Sequence, residues 1–309
     1  MTELEQLLAE HSALNSVGSG QFSLDPRRQR ELLGKLGLHS QSQAFLKLFQ
    51  GLCRLQPISQ VRILSQARRL SIQLDHLEPL PQPLWEATHP LGLGLLALSQ
   101  EFQTQWEGQT QGAAGPAGFR SNVGVPGSAL TLTISRPDCR WWHRDWTAGL
   151  RQAISPKLAW TPFDWNWDGV QSDQSTPLSV SALAIVLSSE LQPGALPLRS
   201  KTWKGQTRVR EADQLRPGPI PQEKLAHAVL GAHKKSWSET FFVLDGVLLE
   251  GERNLLDRPG VVAIISADGL TPALNGLELV HDSAFRQRLQ GLRPELAWLD
   301  QINQKGRSG

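Results

Sequence analysis

The chain has 309 residues, with 31 basic and 29 acidic side chains for a formal charge of +2, 39% apolar residues and 19% charged ones. Enough apolar surface is present to build a sizeable core in one long domain or two smaller ones, which excludes disorder as the dominant state. The near-neutral charge supplies no field to draw in nucleic acid or an anionic membrane, so neither is expected as a partner.

Two cysteines, Cys53 and Cys139, belong to no CxxC or Cys/His zinc spacing and cannot staple a chain of this length, which fits a reducing compartment. The opening Met1-Thr2-Glu3-Leu4-Glu5 is acidic where a signal peptide is basic, and the longest apolar stretch, 91–98, is far short of a spanning helix. The expected location is cytoplasmic.

In chain order, Leu4, Leu7 and Leu8 share one face of an amphipathic lead-in helix. A second helix begins at Leu24-Asp25-Pro26-Arg27, where Asp25 can accept from the orphan amides and Pro26 fits the first helical position; Gly34 and Gly37 end it. A third carries the broad apolar face Phe45, Leu46, Leu48, Phe49, Leu52 and Cys53, closed by Pro57. Residues 60–64 and 70–74 alternate at period two and predict a hairpin. The proline-rich 77–83 is a loop, and an apolar run starting at Leu91 opens the next element.

Residues 108–128 are rich in Gly, Ala and Ser and bury too little to fix one conformation, so a flexible linker or lid is expected there. The expected organisation is a domain over 1–110, a linker over 111–127, strand-helix-strand units over 128–200 and a further α+β region over 201–309. Within these, 130–134 reads as a strand and Trp142, Trp146, Leu150 and Ile154 as one buried helical stripe. Residues 183–187 follow as a strand, 223–230 as a helix, 241–249 as a hairpin around Asp245-Gly246, and 261–265 as a strand. Asp282 caps a closing helix. The fold class is α+β.

The order helix, helix, hairpin, loop, glycine-containing helix resembles the N-terminal half of the Bergerat-type ATPase domain of the gyrase, heat-shock chaperone, histidine kinase and mismatch-repair (GHKL) superfamily. The strings Phe22-Ser23-Leu24-Asp25-Pro26, Phe45-Leu46-Lys47-Leu48, Val243-Leu244-Asp245-Gly246-Val247 and 256–263 look like those of uncharacterised bacterial proteins related to the heat-shock branch. The resemblance implies an α/β sandwich in which one helix carries a water-activating Glu and, four residues on, a magnesium-holding Asn, as phosphoryl transfer requires. The matching positions here are Lys47 and Gly51, with Gln50 beside the second, and a charged lysine cannot act as the base. The family's adenine-binding Asp followed by glycines has its nearest counterpart in Asp75, but His76-Leu77-Glu78 follows it. Gly92 and Gly94 stand where the lid glycines lie, although Gly-x-Gly in an apolar run also serves close helix packing. The vestigial nucleotide pocket is therefore Gln50, Asp75, Gly92 and Gly94, with no catalytic residue, no metal and no cofactor expected, ATP with magnesium being the alternative.

Two other patterns have competing readings. Asp164-Trp165-Asn166-Trp167-Asp168-Gly169 matches the first half of a calcium loop, but its twelfth position is Ser175, not a bidentate Glu. An edge strand with both tryptophans inward and an Asp-Gly turn fits better. Six of the eleven tryptophans fall between 141 and 167, which suits either an aromatic binding groove or a core. His143 and Asp145, His227 and His233, and the pairs Arg68-Arg69 and Lys234-Lys235 form no catalytic or nucleic-acid signature.

The expected function is a non-catalytic, chaperone-like scaffold that binds an unidentified protein partner and derives from a GHKL ATPase with lost hydrolysis motifs. The alternatives are a nucleotide-dependent ATPase or chaperone whose pocket is rebuilt from Gln50, Asp75, Glu78 and Gly94, and a sugar or peptide binder using Trp141 and its neighbours.

Overall fold

A computed structural model describes residues 38, 40–55, 58, 60–66, 68–75, 89–98, 102–108, 119–121, 130–136, 146–171, 180–188, 196–198, 205–211, 214–221 and 224–307. The expected helices before residue 37, the 77–83 loop with Glu78, most of the 111–127 linker, and Trp141, Trp142, His143 and Asp145 lie outside them. The chain divides into two compact units. Unit 1 comprises Met1–Ile154, Phe163–Gln171 and Leu274–Gly276, and unit 2 comprises Ser155–Pro162, Ser172–Ala273 and Leu277–Gly309.

Among the described residues the first element of unit 1 is α1 (Gln41–Cys53), which Ser40 starts with a capping box: its hydroxyl accepts from the Gln43 amide and the Gln43 side chain answers to the Ser40 amide. The predicted hairpin forms as β1 (Gln60–Gln66) and β2 (Arg69–Leu74), with Ile63 opposite Ile72. Then come α2 (Pro90–Leu98), β3 (Gln103–Gly108), β4 (Phe119–Ser121), β5 (Leu130–Ser135), α3 (Trp146–Ile154), β6 (Asp164–Trp167) and β7 (Val170–Gln171). The sheet runs β4-β3-β5-β2-β1-β6-β7 and is mixed, because β6 lies parallel to β1 and β4 parallel to β3.

Period two sorts the strands into faces. Val61, Ile63, Leu70, Ile72, Leu74, Leu132, Ile134, Trp165 and Trp167 are buried, while Gln60, Arg62, Leu64 and Asp164 are exposed. The helices carry the matching apolar surface in Phe45, Leu48, Phe49, Leu52, Leu91, Leu95, Leu98, Leu150 and Ile154, all buried. Each such side chain contributes about 1.5–3 kcal/mol on burial.

Unit 2 is built on a second mixed sheet. Its strands are β8 (Ala182–Leu187), β9 (Leu196–Pro197), β10 (Gln206–Glu211), β11 (Gln214–Pro217), β12 (Leu225–Ala232), β13 (Glu239–Leu244), β14 (Val247–Leu248), β15 (Glu252–Arg253) and β16 (Val261–Ser266). Its main path is β11-β10-β8-β12-β16-β13-β14, with β15 beside β13 and β9 beside β12. Apolar residues line both faces. Ala184, Leu230, Ala263 and Ile265 join the cluster with Phe285, Leu292, Leu296 and Leu299, whereas Leu183, Ile185, Val229 and Ile264 join that of Trp160 and Leu198. A strand covered on both sides loses the alternating pattern, which is why β8 and β16 read as continuous apolar runs. Helices α4 (Ser283–Gln290) and α5 (Arg293–Arg307) complete the unit.

The Asp245-Gly246 hairpin is present, both turn residues taking positive φ (48° and 73°) as a two-residue turn requires. Asp282 caps α4 by accepting from the Phe285 amide at 2.9 Å. One expected element is corrected: of the helix expected over 223–230, residues 225–230 are strand. They contribute most of β12, hydrogen-bonded between β8 and β16. Their alanines favour a helix locally, but two neighbouring strands and two apolar faces reward extension more. Among the described residues no helix is long and apolar enough to cross a membrane.

Candidate functional site

Helix α1 carries Lys47, Gln50 and Gly51, at and beside the positions of the family's base and metal ligand, and its residues from Ala44 to Cys53 are all buried. Lys47 is 6% exposed and Gln50 is sealed. Three residues apart, they share one face of the helix. The Gln50 Nε2 donates to the Gly276 carbonyl at 2.9 Å. Gly276 has φ +58°, and the Lys47 ammonium fills the place where its Cβ would stand, with Lys47 Cε at 3.3 Å. These two polar groups are therefore directed at a turn of the chain itself.

The glycines do a different job. A Cβ on Gly51 would fall on the backbone of Leu91, and a Cβ on Gly94 would lie 2.5 Å from the Leu48 nitrogen and 3.1 Å from the Ala44 carbonyl oxygen. Helices α1 and α2 thus touch backbone to backbone at two points. Gly92 is also buried within α2. Asp75 is exposed at the end of β2, where its Oδ1 accepts from the Gln60 amide at 3.1 Å, tying the open end of the β1–β2 hairpin. The structure gathers Lys47 and Gln50 at one spot and Gly51 and Gly94 at the helix contact, while Asp75 ties the strand end.

The calcium-like segment follows the strand reading. Trp165 and Trp167 are buried and Asp164 is exposed. The other oxygens are engaged locally: Asp168 Oδ1 accepts from the Ser65 amide at 2.6 Å, and Asn166 Oδ1 accepts from Gly169 at 2.9 Å. Because β7 pairs beyond it, β6 lies one strand in from the edge. Of the clustered tryptophans, Trp160, Trp165 and Trp167 are core residues and Trp146 is half-buried against Phe102, ring centroids 5.3 Å apart. Among the described residues no three His, Cys, Asp or Glu side chains gather as a metal site would require.

Sequence reasoning missed a charged cluster in unit 2. Glu295, in the first turn of α5, is fully buried, and its Oε1 lies 2.8 Å from Arg210 Nε of β10. Arg210 also donates through Nη2 to the Gly291 carbonyl at 3.0 Å, where α4 ends. Arg288 of α4 holds the end of β16 through the Ser266 and Asp268 carbonyls, each at 2.6 Å. His227 sits where the β12–β8 register shifts, a bulge that turns one residue out of alternation. Burial, and after it the charges of Arg288 and Arg210, lower His227 to about 4. Burial raises Glu295, with Arg210 opposing. No short motif joins residues so far apart; only the buried Glu295 beside Pro294 carried a local signal, that of a helix start.

Compared with protein-family models and with curated proteins, the chain matches none. The chemistry must be read from the geometry. At α1 it offers the buried Lys47 ammonium and the Gln50 amide as hydrogen-bond donors.

Proposed function

We propose that unit 1 is a Bergerat-type sandwich that has lost ATP hydrolysis, and that the protein is a cytoplasmic, chaperone-like scaffold of bacterial type acting by binding a protein partner. The observation that carries this reading is the backbone contact of α1 with α2 at Gly51–Leu91 and Gly94–Leu48. In the superfamily that the sequence resembles, the first helix carries the base and the metal ligand and the lid glycines face the phosphates; here two glycines let the helices close on each other. Lys47 and Gly51, at the positions of the base and the metal ligand, support the same conclusion.

The test is titration calorimetry with ATP and magnesium together with a phosphate-release assay on the full chain. The expected result is no heat of binding and no magnesium-dependent turnover. A steady magnesium-dependent ATPase rate that disappears in Asp75→Asn would replace this reading with that of a rebuilt nucleotide pocket.

A further inference from the structure

We propose that unit 2 carries a small-oxyanion site beside the α4–α5 junction, where Arg210, Arg288 and the His227 ring bind a phosphate group. The inference concerns unit 2 alone and does not rest on the scaffold reading.

The sheet register brings the three groups together. Arg210, Val186, Ala228 and Ile265 stand on one line across β10, β8, β12 and β16. His227 precedes Ala228 at the bulge, and Ser266, whose carbonyl Arg288 holds at 2.6 Å, follows Ile265. Arg210 reaches the junction itself, at the Gly291 carbonyl. All three residues are half-buried, so the spot is shielded from bulk water yet open to it.

The electrostatics there are one-sided. The charges that act on His227 are those of Arg288 and then Arg210, and after burial they hold the ring down to about 4. The neighbouring acidic groups face the guanidiniums, Glu295 toward Arg210 at 2.8 Å and Asp268 toward Arg288, whose charged form burial disfavours all the same. Among the described residues no group hydrogen-bonds to the His227 ring. A guanidinium has five N–H donors. Arg288 uses two on the Ser266 and Asp268 carbonyls, and Arg210 two toward Gly291 and Glu295. Donors are left on both beside an imidazole N–H, and a phosphate group brings the several oxygens and the negative charge that suit them. The same field repels a cation, which makes an anion the ligand class.

The experiment follows the His227 ring of the full chain by NMR from about pH 4 to pH 7, in inorganic phosphate and in chloride at matched ionic strength, the signal being identified by its loss in His227→Leu. Phosphate should raise the ring's titration by about one unit or more over chloride, as a contacting anion does. Arg288→Gln should abolish that rise and weaken phosphate binding by calorimetry about ten-fold. Equal titration in the two salts, or a rise that survives Arg288→Gln, overturns the proposal. Should Arg288→Gln not fold, the wild-type comparison of the two salts decides alone. O-phosphoserine is titrated in parallel: binding of either compound supports the site, and the tighter one tells whether the phosphate is free or carried on a larger molecule. ATP hydrolysis is not read in any arm, so failure here leaves the scaffold reading to its own test.

Discussion

Removing Arg210 should release the C-terminal helices of unit 2 from their sheet. Glu295 is fully buried and Arg210 only 18% exposed, with 2.8 Å between Nε and Oε1. At an effective dielectric of ~20 the attraction at that distance is about 6 kcal/mol. Desolvating each ion costs several kcal/mol, so the intact pair contributes little net stability over an apolar pair of the same shape. Breaking it is another matter. Arg210→Met leaves a carboxylate buried without its cation and deletes the bond to the Gly291 carbonyl, for a loss of about 3–5 kcal/mol. Replacing both, as Arg210→Met/Glu295→Leu, should restore most of that loss, giving a coupling above about 2 kcal/mol in a double-mutant cycle.

The assay is native-state hydrogen exchange of the β8 and β12 amides, which reports opening of unit 2 by itself. A loss of 3–5 kcal/mol speeds exchange by about two to nearly four powers of ten. The penalty should shrink in acid, because a Glu295 deprived of its cation can take up a proton. If Arg210→Met changes exchange less than about five-fold, roughly 1 kcal/mol, or if the two substitutions add without coupling, the reasoning fails.

Two further outcomes are expected. Gly94→Ala gains helix propensity but drives a methyl into the Leu48 backbone, so it should destabilise unit 1 by about 2–3 kcal/mol; Gly149→Ala in α3, with nothing within 4 Å, should stabilise it by about 0.5–1 kcal/mol. Thermal melts that rank the two alike would contradict the helix contact. His227, held to about 4 in the folded chain against 6.5 unfolded, is protonated first in the unfolded state. Its contribution is complete above pH 6.5 and declines as the pH falls toward 4, reaching a deficit of about 2 kcal/mol at pH 5. Urea midpoints at pH 7 and pH 5 should show that deficit in wild type relative to His227→Gln, and identical pH responses would remove His227 from the account.

The sequence by itself determined the elements whose signals are local. The apolar face Phe45, Leu48, Phe49 and Leu52 makes α1, period-two alternation builds β1 and β2, inward tryptophans and an Asp-Gly turn make β6, Asp245-Gly246 makes a hairpin and Asp282 caps α4. In each case capping, side-chain periodicity or turn geometry acts within a few residues and needs no knowledge of the rest of the chain. The second C-terminal helix has the same kind of local signal, in the spacing of Leu296, Leu299 and Ile302 after Pro294. Tertiary structure alone decided that β12 is a strand, because its two neighbours and both apolar faces outweigh alanine's helical preference. It also decided that Gly51 and Gly94 serve helix contact, that Gln50 meets Gly276 across 226 residues, and that Arg210 neutralises Glu295. Those outcomes depend on which surfaces burial brings together, and that energy belongs to pairs distant in the chain, beyond the reach of any local pattern.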